Sequence, residues 1–252
     1  VPSAYVFDSR FSQGESSVSY GGQVVRNLLI QDLKTFIDRL GQSGAQAIEV
    51  EDLLHFYEHD DGLDLESLSE AGAQVIAEKR YSSISTGKNL VDKVSSEPVI
   101  GYGLEADTLL RQWFAIIAAN SRDADKLGTP AVYTSAEGVD LAQMVHKVLT
   151  GALAYHQSTG VYLAGLLERD NSQARGEGEA ATDMEHAWDE AFGYFGAARD
   201  YAHYSDAELA GGGDDYTSDA DGDGMIDFRS EYNFGLSRNA GKRDLGGSGV
   251  DF

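Results

Sequence analysis

Residues 219–231 read Asp-Ala-Asp-Gly-Asp-Gly-Met-Ile-Asp-Phe-Arg-Ser-Glu. Carboxylates stand at the first, third and fifth positions of this run, as Asp219, Asp221 and Asp223. Gly224 takes the sixth, where a sharp turn is needed, and Met225 offers its backbone carbonyl at the seventh. Ile226 is the apolar anchor, and Asp227 stands ninth, where a side chain commonly acts through water. Hard oxygen donors at this spacing suit Ca²⁺, which accepts about six to eight of them, better than Mg²⁺ with its stricter octahedron. Seven acidic side chains lie between Asp214 and Glu231 against one basic residue, Arg229. A bound cation would convert their mutual repulsion into ordering energy.

The pattern departs from an EF-hand loop at its end. Position twelve is Ser230, and the bidentate candidate Glu231 arrives one residue late. The expected calcium set is therefore Asp219, Asp221, Asp223, Met225, Asp227 and Glu231, within an EF-hand-like insertion spanning 214–231. One such loop favours a structural ion over a paired calcium sensor. The plainer alternative is a solvated acidic turn after Gly211-Gly212-Gly213.

A second constellation lies in Glu185-His186-Ala187-Trp188-Asp189-Glu190. On a helix, His186 sits three residues before Asp189 and four before Glu190, so either carboxylate can orient the imidazole or share a cation with it. Met184, Trp188, Ala191 and Phe195 gather on the apolar side, whereas His186, Asp189, Glu190 and Gly193 form the polar side. A helical ion pair or an interhelix hydrogen bond is the alternative to a metal site here. His55 and His59, four apart beside Glu58, Asp60 and Asp61, can hold Zn²⁺ or Cu²⁺ at a helix end or simply be solvated. His156 reads as a ligand candidate or a core hydrogen bond.

These groups need helices to position them. Val25, Leu28, Leu29, Phe36, Ile37 and Leu40 recur at three- and four-residue steps, with Gln31, Asp32, Lys34 and Asp38 on the other side. Gly41 and Gly44 stop that helix. Further helical patterns cover Ile48–His59, short stretches within Leu65–Lys79, and Leu104–Ala119. A long one runs from Glu137 to Arg169, unbroken or broken near Gly160, and another from Ala180 to Ala198. Ser82–Gly87, Pro98–Gly103 and Asn171–Glu179 read as loops, residues 1–22 as an extended lead-in with Tyr5 and Phe7 in a strand-like piece, and the tail to Phe252 as weakly patterned. Gly151, Gly160 and Gly165 each cost up to about 1 kcal/mol inside a helix, which calls for tight packing or a bend. The expected fold is an all-α helix bundle, one domain over 1–252, with a short extended lead-in and an inserted calcium loop.

Composition narrows the function classes. With 19 basic against 42 acidic side chains and a formal charge of −23, nucleic acid and anionic membrane surfaces are poor partners. No cysteine is present, which excludes disulfides, thiol nucleophiles and cysteine-ligated metals. No apolar run reaches the roughly 18 residues of a membrane span. A first residue of Val and no leader segment fit a mature or trimmed product.

The stretch from Met184 to Gly196 resembles the signature of a group of bacterial envelope proteins, often lipoproteins, related to the imelysin-like proteins. Ser230-Glu231-Tyr232-Asn233-Phe234-Gly235, Asn239-Ala240-Gly241-Lys242-Arg243-Asp244 and the segment from Val25 to Leu40 are similar to the same group. The resemblance covers nearly all of the chain. Relatives continue through further helical sequence, so it implies a chain cut short at its C-terminus. It also implies a bundle of the imelysin type and a link to iron-regulated uptake. Its Gly-x-His-x-x-Glu motif, proposed to bind metal, maps His186 onto the histidine, but Met184 replaces the glycine, Asp189 stands three later and Glu190 four later.

The leading expectation is a non-catalytic, calcium-stabilised protein of the periplasm or outer membrane of a Gram-negative bacterium. It would bind a metal ion or small ligand near His186, with iron implied by the resemblance and copper or zinc equally allowed by the donors. A lipid anchor on the precursor and an envelope protein partner follow from the same resemblance. The alternatives are a metal-dependent hydrolase using His186 and Glu190, without a His-Glu-x-x-His motif to support it, and a structural or interaction module marked by an exposed apolar patch.

Overall fold

The structure, a computed structural model, describes residues 6–211 and 216–245. It is mostly helical, with eight α-helices and two short strands among the described residues. In chain order these are α1 (Gly21–Leu40), α2 (Val50–Tyr57), β1 (Val75–Ile76), α3 (Tyr81–Ile84), α4 (Ala106–Ser121), α5 (Leu141–Leu149), α6 (Asp183–Phe195), α7 (Asp206–Ala210), β2 (Met225–Ile226) and α8 (Gly235–Asp244). The chain divides into two compact units. One comprises Val1–Asn27, Glu70–Lys79 and Tyr155–Phe252; the other comprises Leu28–Ser69 and Arg80–Ala154.

In the second unit α4 buries Leu109, Leu110, Trp113, Phe114 and Ile117; Ile116, which periodicity places on the same apolar side, is exposed. The α2 helix opens with the Asp52 carboxylate accepting from the Glu49 N–H at 2.8 Å. It buries Leu53, Phe56 and Tyr57, the last edge-on to Phe114. One residue here reverses its expected side. Asp32, read as solvent-facing, is fully buried and accepts hydrogen bonds from the Ser69 hydroxyl at 2.8 Å and the Tyr81 hydroxyl at 2.5 Å. Tyr81 opens α3, inside a region read as loop from Ser82 onward.

The first unit is organised around α6. Thr182 and Glu185 cap its start reciprocally, and Gly196, at φ 69°, ends it in the left-handed conformation that glycine adopts without cost. A Cβ at Gly196 would lie 2.8 Å from the Phe234 Cβ, so the chain after the acidic loop packs directly on that turn. The lead-in ties on from the other end, where Arg10 Nη2 donates to Asn171 and Glu185, both at 2.9 Å. Of the strand-like piece, Phe7 is exposed beside an isolated Asp8–Ser16 bridge, and Tyr5 lies outside the described residues.

Three other expectations change. The Leu65–Lys79 region holds no helix; it is irregular, with β1 pairing in parallel to β2 in the register Val75–Met225 and Ile76–Ile226. The long pattern from Glu137 is α5 followed by a wider π-helical segment, Thr150–Tyr162, so of the two readings the break near Gly160 holds, with Gly165, φ 66°, in the turn that follows. Gly151 has open space where a Cβ would stand, so tight packing does not explain it. The tail read as weakly patterned contains α8, whose Gly241 lies against Leu209 of α7.

The α6 helix is also rotated from the orientation its hydrophobic pattern predicts. Trp188 is 51% exposed, whereas Asp189 and Gly193, read as polar-face residues, are buried. Gly193 does not leave room for a ligand. A Cβ there would stand 2.7 Å from the Cβ atoms of both Tyr20 and Gln23, so the glycine is what lets this backbone approach the Tyr20–Gln23 turn. Gly193→Ala tests that reading. Helix propensity alone favours Ala by about 1 kcal/mol, but overpacking costs about 1–3 kcal/mol, so the urea midpoint is expected to fall. A midpoint equal to or above that of the parent protein would show that the turn yields freely.

Candidate metal centre

The acidic loop closes on itself through its own carboxylates. Asp219 accepts from the backbone N–H of Gly222 at 2.7 Å and of Asp223 at 3.1 Å on one oxygen, and from Gly224 at 2.9 Å on the other. Asp221 accepts from the Asp223 N–H at 3.0 Å, and Asp223 from the Met225 N–H at 2.8 Å. These bonds wind the chain so that one oxygen from each of Asp219, Asp221 and Asp223 lies within 4.8 Å of the others. No other set of three or more acidic or histidine ligands is gathered so closely among the described residues. Gly222 and Gly224 both take positive φ, 79° and 88°, which the tight winding requires.

Glu231 does something the sequence did not suggest. It is 2% exposed, and its carboxylate reaches into the loop from the C-terminal side. One oxygen accepts from Ala220 at 2.8 Å and Asp221 at 3.2 Å, and the other from Asp227 at 2.9 Å. Both ends of the loop are thus held by one side chain. Burial raises its pKa above the ordinary glutamate value, against the opposing pull of those three amides. Asp227 accepts from the Arg229 N–H at 2.6 Å and is outside the three-aspartate group. Asp214 and Asp215 lie outside the described residues.

The loop is fixed at both flanks. Ile226, the apolar anchor, is fully buried in β2 against β1, and Ala77 N–H donates to its carbonyl at 2.9 Å. Around Glu231 runs an aromatic strap in which Phe228 meets Tyr232 edge-on at 5.0 Å, Phe234 packs tilted against both, and Tyr216 meets Tyr232 edge-on at 5.3 Å. Asn233 joins strap to α6 by accepting from the Ala198 N–H at 2.7 Å. The periodic aromatics of 228–234 are visible in the sequence as a signal of burial; their partner Tyr216 is too far along the chain to be paired by periodicity.

On α6 the structure brings His186 and Glu190 together and sends Asp189 elsewhere. His186 Nε2 is 3.9 Å from Glu190 Oε1, and burial lowers the imidazole pKa more than Glu190 raises it. Glu190 also accepts from the Gln23 amide and the Tyr162 hydroxyl. Burial, reinforced by that carboxylate, pushes the Tyr162 phenol up to about 12. Asp189 instead accepts from the Ser19 N–H at 3.0 Å. Of the other histidines, His55 is exposed, His59 is buried, and His156 is half-buried in the π-helical segment with Gly160 beside its ring.

A family model described as a domain of unknown function, DUF4856, matches residues 2–210, and the chain belongs to that family. Neither the curated proteins nor the solved structures include a match. The match takes in α6 and its histidine and stops before the acidic loop. Nothing in it links the chain to the imelysin-like proteins.

Burial pushes the Asp189 carboxyl up to about 6, above its ordinary 3.8 and against the lowering effect of the Ser19 amide. The folded-state value exceeds the unfolded one, so the carboxyl favours the fold most at low pH, and that contribution is lost as pH rises through about 6. Asp189→Asn removes the penalty. Chemical denaturation of variant and parent at stepped pH should show the variant gaining about 2 kcal/mol relative to the parent between about pH 4 and pH 7. A constant difference across that window would show that Asp189 titrates normally.

Proposed function

We propose that this DUF4856 chain is a non-catalytic, calcium-stabilised binding protein whose C-terminal loop holds one Ca²⁺ as a structural ion. The observation that carries the reading is the convergence of Asp219, Asp221 and Asp223 within 4.8 Å, on a loop whose sequence spacing is that of an oxygen-ligand calcium site. Such crowding is costly without a counter-charge and suits an ion contacted at about 2.4 Å by each oxygen. The Met225 carbonyl and a water held by Asp227 are the natural further donors. Glu231 serves the site by clamping both loop ends, or as a ligand through the lone pairs its amide contacts leave free.

The ion would stabilise the aromatic strap and, through Asn233 and Phe234, the end of α6. A second binding site for a transition metal or small ligand is proposed around His186 and Glu190; the half-buried imidazole facing a carboxylate supports it. Placement in a bacterial envelope and a connection to iron uptake rest on the sequence resemblance to imelysin-related proteins alone.

Calorimetric titration of chelator-treated protein with Ca²⁺ tests the first claim. One binding event is expected, accompanied by a rise in Tm, because an ion at about 100 times its Kd adds roughly 2.7 kcal/mol to the folded state. Asp221→Asn and Asp223→Asn should each weaken binding about tenfold or more while leaving the far-UV spectrum of the calcium-loaded protein unchanged. Identical melting with Ca²⁺ and with EDTA would contradict the proposal.

A further inference from the structure

His59 presents a separate problem, contained within the second unit. Its side chain is 2% exposed, and neither ring nitrogen makes a well-formed hydrogen bond; the His55 backbone and the Asp61 carboxylate are the acceptors beside the ring. The one acceptor facing Nε2 is Asp61 Oδ1, itself buried and unpartnered, at 3.6 Å. That separation is too long for a hydrogen bond. It is close to the spacing of about 3.4 Å between two ligands at tetrahedral angles around an ion bound at about 2.0–2.1 Å.

Both groups are held in place. Asp61 gives its other oxygen to the Gly87 N–H at 2.7 Å, which aims Oδ1 at the imidazole. The ring of His59 meets Tyr81 edge-on, with centroids 5.1 Å apart, and Tyr81 is anchored in turn through its hydroxyl to buried Asp32. A ligating carboxylate whose second oxygen is hydrogen-bonded, beside an imidazole locked by packing, is the arrangement that preorganises a metal site.

We infer that His59 Nε2 and Asp61 Oδ1 form a two-ligand site for a divalent transition metal of the zinc class, with water completing the coordination shell. One imidazole and one carboxylate select Zn²⁺, Co²⁺ or Cu²⁺ over Ca²⁺ and Mg²⁺, which take oxygen alone. The neighbouring Asp60 carboxylate makes the local charge −2 with a neutral imidazole, the charge that a divalent cation cancels. The site differs from the pair suggested by sequence spacing, because His55 is exposed and it is Asp61, two residues on, that faces the ring.

The test is titration of chelator-treated full chain with Co²⁺, then Zn²⁺, in Ca²⁺ sufficient to fill the acidic loop. In a His186→Gln background, which removes the α6 candidate, one equivalent of Co²⁺ should develop visible d–d absorption that Zn²⁺ abolishes. In the same His186→Gln background, His59→Gln and Asp61→Asn should each lower the Co²⁺ affinity about tenfold or more, whereas His55→Gln, at an exposed imidazole, should leave it unchanged. If His59→Gln fails to fold by circular dichroism, Asp61→Asn decides. Absence of a Co²⁺ signal in the His186→Gln background, or equal affinity there with and without Asp61→Asn, overturns the inference.

Discussion

Electrostatic repulsion among Asp219, Asp221 and Asp223 is the constraint on which the C-terminal part of this protein depends. Their oxygens lie within 4.8 Å of each other, and backbone amides satisfy only part of their hydrogen-bonding capacity. Amide dipoles reduce the cost of such crowding but do not cancel formal charge. A bound divalent ion would do both, and its binding energy would then become folding energy for whatever the loop holds. Here that is a continuous chain of contacts: Glu231 across the loop, Ile226 into the short parallel pair, and the strap from Phe228 to Phe234 onto the end of α6.

The same helix shows how a polar surface becomes a packing surface. Asp189 and Gly193 face inward because the Tyr20–Gln23 turn approaches closely enough to need a glycine and Ser19, just before it, supplies an amide for the carboxylate. Trp188 is displaced outward as a result. In the second unit Asp32 is accommodated in the same manner, by two hydroxyls rather than by solvent. Buried carboxylates with hydrogen-bond donors are tolerated where unpaired ones are not.

These features mark where sequence reading succeeds and where it stops. The clustering of Asp219, Asp221 and Asp223 was legible because these carboxylates are close in the chain and their spacing carries the geometry. The existence of α1, α2, α4 and α6 was legible because apolar periodicity persists through each. The rotation of α6 was not, since it is decided by Tyr20 and Gln23, about 170 residues away, and a helical wheel cannot include them. Loop spacing placed Glu231 one position late but could not reveal the three amides from which its carboxylate accepts. The partnership of His59 with Asp61, rather than with His55, depends on the turn after α2 leaving helical geometry. The π-helical widening after α5 has no signature in composition, and its glycines pointed to packing that is absent at Gly151.

The most direct measurement is a crystal structure of calcium-soaked protein with anomalous data collected to identify the ion. The account predicts an anomalous peak of calcium strength at about 2.3–2.6 Å from oxygens of Asp219, Asp221 and Asp223 together. An ordered loop in the same conformation with only water between those carboxylates, at millimolar Ca²⁺, would contradict it.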